Sequence, residues 1–364
     1  PPRSTLFPYT TLFRSAFLNS SYDGSFIAGL MELRYIQSLP VERIINYFES
    51  HGFTLKKPTA HKLMEKASSL FENLYKCIRQ TALSDPYKAA DETYYKILVP
   101  EKNSKGKGVR KGYLWVVVGI NTRMIYLLYD DGSRSEKVIL NELGGCKGII
   151  QSDGYSPYRK LESDAYPHIT RIPCLQHIKR KFIDCGEDDP DAKRIVEMIN
   201  TLYQNEHKHK IGVDGWTVEQ NLVHRKKYAP DILGEIKDVL DDIEERGDLL
   251  PKSELKEAIT YLRNEWNAVV DIFNYGDTYL DNNIVERMNR YISLSRKNSL
   301  FFGSHKGAER GAILYTIALT CRMHKVNLFE YLTDVINRTA EWQPNTPIEK
   351  YRELLPDRWE KAND

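Results

Sequence analysis

The sequence predicts an α/β protein in which a mixed sheet with flanking helices follows a helical region and is interrupted by a large helical insertion. The sheet is indicated by β-branched and aromatic stretches such as "GYLWVVVGI" (112–120). The insertion is indicated by residues 187–276, where Leu255, Ile259 and Leu262 recur at helical spacing. At 364 residues, the chain is long enough for two or three domains.

The composition is that of an ordinary globular protein. Hydrophobic residues make up 41% and charged residues 28%, and no apolar run approaches the roughly 18 residues that span a membrane. The chain has 52 lysine and arginine residues and 50 acidic residues, so its net charge is close to zero. A surface that binds nucleic acid must therefore consist of local clusters of basic residues. The five cysteines lack framework spacing, so we expect a reduced, cytoplasmic protein rather than a secreted one.

Residues 1–15, "PPRSTLFPYTTLFRS", do not look native. Pro8 and Arg14 interrupt any apolar core of a signal peptide. The codons of a sequencing adapter spell all fifteen residues in order. We therefore predict a non-native tail and a native chain that is truncated before Ala16.

Residues 16–86 predict a helical region that could bind DNA. Ile27, Leu30 and Met31 belong to one apolar stripe, and Pro40 and Gly52 mark the start and the end of a second helix. Two short helices followed by a longer third helix suit a helix-turn-helix. A plain three-helix bundle fits the same pattern, so both interpretations stay open.

The predicted strands lie in residues 87–186. Strands at 91–100, 112–120 and 123–131 form an antiparallel meander, and further strands are predicted at 147–153 and "HITRIP". Helices are predicted at "SRSEKVILNELGG", "SPYRKLE" and "CLQHIKRKFIDC". This β-β-β-α-β-α-β-α order is that of the ribonuclease-H-like fold, in which the first and fourth strands are neighbours. We expect residues 87–186 to form the first part of a catalytic domain.

The rest of that domain is predicted beyond the insertion, at residues 277–340. A helix begins near residue 282, the chain breaks around "LFFGSHKG", and a long helix follows over 308–339. The polar residues 341–364 are predicted to form a loosely packed C-terminal tail.

Three acidic residues are the candidate site. Asp91 is predicted to open the first strand, Asp153 closes the fourth strand in "QSDGY", and Glu286 lies on the helix after the insertion. Gly154 should let the backbone turn away from the Asp153 carboxylate. Because the first and fourth strands of such a sheet are neighbours, we expect the two aspartates to meet and the helix to bring in Glu286.

Each acid also has a simpler interpretation. Asp91 could be a charge at a strand edge, and Asp153–Gly154 could be an ordinary turn pair. Asn283 and Glu286 have the spacing of a capping box, and Asp281 is another possible cap.

Together, three carboxylates suit metal-dependent phosphoryl transfer. Mg²⁺ takes oxygen ligands, often one or two carboxylates with substrate phosphate and water. Two ions about 3.5–4 Å apart can activate the attacking oxygen and stabilise the leaving one.

The chain resembles the insertion sequence 66 family of bacterial DDE transposases over residues 25–357. The resemblance rests on blocks in family order: "ADETYYKIL", "KGYLWVVV", "QSDGYSPY", "CLQHIKRKF", "LPKSELKEAITYLRNEW", "LDNNIVERMNRYISLSRKNSLFFGS" and "PIEKYRELLP". It implies that Asp91, Asp153 and Glu286 are the catalytic, metal-binding triad for Mg²⁺ or Mn²⁺, with two ions. It also implies cleavage at the ends of a mobile element, transfer of the 3′ hydroxyls to target DNA, a homo-oligomer on DNA and accessory proteins of the same element. By this resemblance, we expect the family's N-terminal portion to be missing from the chain.

Basic clusters are the candidate DNA contacts. They comprise Lys105, Lys107, Arg110 and Lys111 in a finger between two strands, Lys179, Arg180 and Lys181 on a helix, and Arg296 and Lys297 before the break. Phosphate contact is one interpretation, and a solvated surface is the other. The resemblance implies that Arg287 and Arg290 face phosphate. Phe301 and Phe302 could stack on a base or pack in the core.

Two other functions fit these residues. A ribonuclease-H-like nuclease would cleave DNA without strand transfer. A catalytically inactive protein would bind DNA through residues 16–86. An intact acidic trio favours an enzyme.

Overall fold

A computed structural model of the protein describes residues 21–102, 106, 108–186, 188–340, 342–343 and 345–360. The prediction of a non-native tail at residues 1–15 lies outside this range. The described chain divides into two compact units. Unit 1 holds the residues up to 85, residues 92–134 and those from 285 onward, whereas unit 2 holds residues 86–91 and 135–284. In the described range, no helix combines the length and the apolar character needed to cross a membrane.

In residues 87–186, strands and helices follow the predicted order β-β-β-α-β-α-β-α. The described strands are β1 (Tyr87–Leu98), β2 (Val109–Gly119), β3 (Ile125–Leu128), β4 (Gly148–Ser152), β5 (Ile169–Pro173) and β6 (Phe301–Phe302). The described α-helices are α1 (Gly24–Tyr35), α2 (Val41–Ser50), α3 (Lys57–Leu70), α4 (Glu72–Ser84), α5 (Glu136–Leu143), α6 (Ser156–Arg159), α7 (Leu175–Ile183), α8 (Pro190–Glu206), α9 (Val218–Arg246), α10 (Glu254–Ile272), α11 (Asn283–Asn298), α12 (His305–Met323), α13 (Leu328–Thr339) and α14 (Ile348–Arg352).

The sheet is mixed, with strand order β3-β2-β1-β4-β5 and β6 also pairing with β1. β2 and β3 are antiparallel. β4 is parallel to both β1 and β5. The first and fourth strands are therefore neighbours, and the predicted ribonuclease-H-like fold is confirmed.

β1 begins earlier than predicted, at Tyr87, so Asp91 lies inside the strand and does not open it. The residues Tyr87–Ala90 are buried, and Tyr87–Ala89 pair with β4. Lys88 and the following alanines carry little strand propensity of their own. Pairing with a buried neighbour extends the strand, and the local sequence could not indicate this.

In unit 1, the predicted third helix is two helices, because Phe71 ends α3 and precedes α4 with a non-helical ψ of 3°. α4 packs on the sheet, where the Tyr75 hydroxyl donates to the carbonyl of Leu127. α12 covers the same region, because the Thr316 hydroxyl accepts from the Leu127 N–H at 2.9 Å. The N-terminal and C-terminal helices thus share one core.

Two predictions about the C-terminal region are wrong. The long helix over 308–339 is broken between α12 and α13, where Lys325 adopts a positive φ of 58°. Asn327 then caps α13 by accepting from the N–H of Glu330 at 3.1 Å. The tail is not loosely packed, since Leu354 and Leu355 are buried and the carbonyl of Leu354 accepts from the Tyr331 hydroxyl.

In unit 2, the predicted helical insertion consists of α8, α9 and α10. α10 packs against α7 and β5. A buried ion pair fixes this contact, because Arg171 of β5 donates to Oε2 of Glu265 on α10 at 2.8 Å. Both side chains are at most 1% exposed. The insertion is therefore anchored to the sheet by a charged contact that excludes water.

Candidate metal centre and nucleic-acid surfaces

Asp91 lies in β1, and Asp153 follows directly after the neighbouring strand β4. Ala89 of β1 pairs with Gln151 of β4, and two residues further on (89 + 2 and 151 + 2) are the two aspartates. Side chains alternate along a strand, so Asp91 belongs to the face of β1 that carries Ala89, and one further residue of the same alternation after β4 would give Asp153 the face of Gln151. Adjacent strands are about 4.8 Å apart. This spacing favours two carboxylates that are close enough to share one ligand.

The Asp153 carboxylate follows β4 directly and is held by its own turn. Its Oδ1 accepts from the N–H of Tyr155 at 3.1 Å. The Ser152 hydroxyl donates to the carbonyl of Asp153 at 2.9 Å. The next N–H, that of Gly154, donates to the hydroxyl of Tyr261 on α10 at 2.8 Å.

Gly154 serves this turn through its size, not through its backbone freedom as the sequence suggested. It is not among the residues with positive φ. A Cβ at this position would lie 2.5 Å from the Tyr261 hydroxyl and 2.6 Å from its ring carbons. Glycine is therefore required because the tyrosine ring approaches the backbone too closely for any side chain.

Asn282 is a buried residue beside Asp91 whose position the sequence does not reveal. Its Nδ2 donates to the carbonyl of Ala90 at 3.0 Å, and its backbone N–H donates to the Cys174 sulfur at 3.2 Å. Its Oδ1 is buried and has no hydrogen-bond partner in the described part of the chain. A buried oxygen of this kind is costly unless it binds something. Together with the two predicted aspartate ligands, this amide oxygen would give an all-oxygen donor set, which fits Mg²⁺ or Mn²⁺.

Glu286 lies near the start of α11. The helix begins at Asn283, whose N–H donates to Oδ1 of Asp281 at 3.1 Å. Asp281 therefore shapes the helix entry. Glu286 is one position too far along the helix for a capping box, which needs the acid at the third helical residue. Its side chain is half-buried and its Oε1 is buried.

A cleft of about 360 Å³ opens beside Asp153 within unit 2. Its lining includes His177, Arg180 and Lys181 of α7 and Tyr261 of α10. Burial, followed by the nearby charges of Glu265 and Asp153, raises the pKa of Tyr261. Arg180 and Lys181 are exposed at the rim of this cleft.

A second basic group lies in unit 1 around Tyr94 of β1. The guanidinium of Arg296 lies 3.9 Å from the centroid of the Tyr94 ring, and the Lys111 ammonium lies 4.4 Å from it. Arg296 also donates to the Thr93 hydroxyl at 3.2 Å and to the carbonyl of Tyr94. The tyrosine thus holds two of the predicted DNA contacts.

The other predicted contacts differ in exposure. Phe302 packs on Tyr95 with ring centroids 4.2 Å apart, whereas Phe301 is 45% exposed. Lys179 is half-buried, with its ammonium 5.9 Å from the Tyr203 ring. Lys105 and Lys107 lie outside the described residues. The exposed members are Arg110, Lys111, Arg180, Lys181, Arg287, Arg290 and Lys297.

Comparison with known proteins identifies relatives of this chain. The family profile described as "Transposase IS66 family" matches residues 19–310. Three uncharacterized proteins of Sinorhizobium fredii are similar to the chain. The protein y4jD is 26% identical over 91% of this chain and 65% of its own length. The protein y4hP is 25% identical over 89% of this chain and 60% of its own length. The protein y4qI is 30% identical over 71% of this chain and 49% of its own length. The chain thus spans about half to two thirds of the length of these relatives.

Proposed function

Because this chain belongs to the IS66 family of transposases, we propose that it cleaves DNA at the ends of a mobile element and joins the freed 3′ hydroxyls to target DNA. The family is one of DDE transposases, which implies a divalent metal and DNA binding. The observation that supports the proposal best is the register of β1 and β4, in which Ala89 pairs with Gln151 and the two aspartates, Asp91 and Asp153, each follow two residues later along the chain.

In this proposal, residues of the chain hold the metal and orient the carboxylates that bind it. Asp91, Asp153 and Glu286 would hold the metal, and the buried Oδ1 of Asn282 would be a further oxygen ligand, since Asn282 is hydrogen-bonded to Ala90, the residue before Asp91. The Tyr155 N–H holds one oxygen of Asp153, which leaves the other for a ligand. When bound, two Mg²⁺ or Mn²⁺ ions would lower the pKa of the attacking water and stabilise the leaving oxygen.

DNA would be bound through phosphate contacts. The candidates are the predicted set of Lys105, Lys107, Arg110, Lys111, Lys179, Arg180, Lys181, Arg287, Arg290, Arg296 and Lys297. Residues 16–86 would bind DNA, residues 87–186 and 277–340 would form the catalytic domain, and residues 187–276 the insertion. The protein would act on DNA as a homo-oligomer in the bacterial cytoplasm. Accessory proteins of the same element would assist it.

The test removes one charge at a time from the triad. Asp91→Asn, Asp153→Asn and Glu286→Gln keep the shape of each side chain but remove the charge that binds a cation. Cleavage and strand transfer with Mg²⁺ should fall by more than the roughly 10- to 100-fold cost of losing a partner of a metal ligand. The substrate is DNA that carries the inverted repeats flanking the gene, and binding to it should persist.

Matched controls separate the site from general charge effects. Asp164→Asn and Glu309→Gln make the same changes at exposed acids and should leave cleavage intact. Full cleavage by the Glu286→Gln protein would remove Glu286 from the site. Metal-dependent nicks without joined strands would favour the nuclease alternative, and binding without any nicks would favour the inactive DNA-binding protein.

A further inference from the structure

We propose that Tyr261, on helix α10 of the insertion, is a positioning residue for Asp153, because its hydroxyl holds the turn that presents this carboxylate to the metal. The inference rests on the proposed function. It gives the insertion a part in the chemistry that its sequence does not suggest.

The first support is the contact itself. The Gly154 N–H directly after Asp153 donates to the Tyr261 hydroxyl at 2.8 Å, although the two residues are 107 positions apart. Gly154 has no room for a Cβ, which would lie 2.5–2.6 Å from three atoms of the tyrosine. The hydroxyl and the ring therefore limit the turn from one side.

The second support is the anchoring of α10 to the same sheet. Glu265, one helical turn after Tyr261, forms the buried ion pair with Arg171. Arg171 lies in β5 and pairs with Ile150 of β4. The strand that directly precedes Asp153 and the helix that carries Tyr261 are thus connected through one buried contact, so the tyrosine has little freedom to withdraw.

The third support is the arrangement around the carboxylate. Oδ1 of Asp153 accepts from the Tyr155 N–H, so the orientation of the carboxylate depends on the backbone between residues 153 and 155. Gly154 is in the middle of that backbone, and Tyr261 is its hydrogen-bond partner. Losing the hydroxyl would loosen the turn without removing any metal ligand.

The experiment compares Tyr261→Phe with Tyr275→Phe and Asp153→Asn in the full-length protein. Tyr275 is the matched control, because its hydroxyl also forms one hydrogen bond within unit 2, in which it donates to the Thr170 hydroxyl at 3.3 Å. Two readouts are independent of cleavage: amide hydrogen exchange of the peptide around Gly154, and Mn²⁺ binding measured by calorimetry. Thermal unfolding verifies that the variants remain folded.

We expect Tyr261→Phe to speed hydrogen exchange around Gly154 and to weaken Mn²⁺ binding about fivefold, the typical value of one net hydrogen bond. Tyr275→Phe should change neither, and Asp153→Asn should abolish tight Mn²⁺ binding. Unchanged exchange or unchanged Mn²⁺ affinity in Tyr261→Phe, with binding lost in Asp153→Asn, would overturn the inference and leave the proposed function standing. A wild-type protein that binds no Mn²⁺ would overturn both.

A second pair of variants tests the steric part. Gly154→Ala should push the Tyr261 ring away and weaken Mn²⁺ binding at least as much as Tyr261→Phe does. In a Tyr261→Ala background, the same Gly154→Ala change should cost little, because the ring is gone. If Gly154→Ala weakened Mn²⁺ binding equally with and without the Tyr261 ring, the two residues would not act together. This result would contradict the inference.

Discussion

Two basic regions of the molecule look alike in sequence but use their charges differently. In unit 2, Arg180 and Lys181 lie exposed at the rim of the cleft that contains Asp153. In unit 1, Arg296 stacks on Tyr94 and donates to Thr93 and to the backbone. A cation that already has partners in its own chain contributes to folding, whereas an exposed cation remains available to a phosphate. The comparison predicts that one region governs stability and the other governs DNA binding.

The largest effect is expected for Arg296→Ala. Its removal leaves the carbonyl of Tyr94 and the Thr93 hydroxyl without a charged donor and loses the stacking, so the free energy of unfolding should fall by about 2 kcal/mol. Chemical denaturation measures this change. The adjacent, exposed Lys297→Ala is the control and should cost less than about 0.5 kcal/mol. If the two variants lowered the unfolding free energy equally, Arg296 would not be the structural residue that its contacts indicate.

A somewhat smaller effect, on binding and not on folding, is expected for Arg180→Ala combined with Lys181→Ala. DNA affinity should fall roughly tenfold near 0.1 M salt, and the salt dependence of log K should decrease in slope by about 1.8, since each phosphate contact contributes about 0.9. The free energy of unfolding should fall by less than about 1 kcal/mol, since the ring contact involved is that of the Lys181 ammonium, 6.0 Å from the Tyr261 ring. Lys237→Ala combined with Lys252→Ala removes the same charge from exposed sites that do not line the cleft, and it should leave the slope unaltered.

The smallest effect is expected for Lys111→Ala, whose ammonium contacts the rings of Tyr94 and Tyr113. Exposed cation–π contacts contribute about 0.5–1 kcal/mol, so the unfolding free energy should fall by no more than that. Lys111→Arg should keep most of this stabilisation, because arginine also carries a positive charge. If Lys111→Ala instead flattened the salt dependence of DNA binding as strongly as the α7 double variant, the region around Tyr94 would belong to the DNA surface after all.

The sequence could predict what local patterns encode. The strand order and the position of Asp153 follow from short apolar stretches that end in polar residues, and the helix carrying Glu286 follows from its periodicity. The break before α13 also had a local signal, because Asn327 and Glu330 have the spacing of a helix cap. That signal was missed within a longer apolar pattern.

Contacts between distant residues left no such signal. The pairing of Tyr87–Ala89 with β4 extends β1 through residues with weak strand propensity. Asn282 binds the carbonyl of Ala90 across 192 positions, and Tyr261 contacts Gly154 across 107. The sequence also could not distinguish Arg296 from Lys297. Only the folded chain brings Tyr94 next to Arg296, which stacks on its ring and donates to its carbonyl.

The anchoring of α10 also determines where the chain can accept foreign sequence. The helix is fixed at Tyr261 and Glu265, so a peptide inserted there would disturb the Asp153 turn. The connection before it, between α9 and α10, is different: Gly247 adopts a positive φ and Leu250 is 72% exposed. An epitope tag or a fluorescent label placed in residues 248–252 should be tolerated, because exposed loops accept insertions. That loop is thus a practical place from which to follow the protein on DNA.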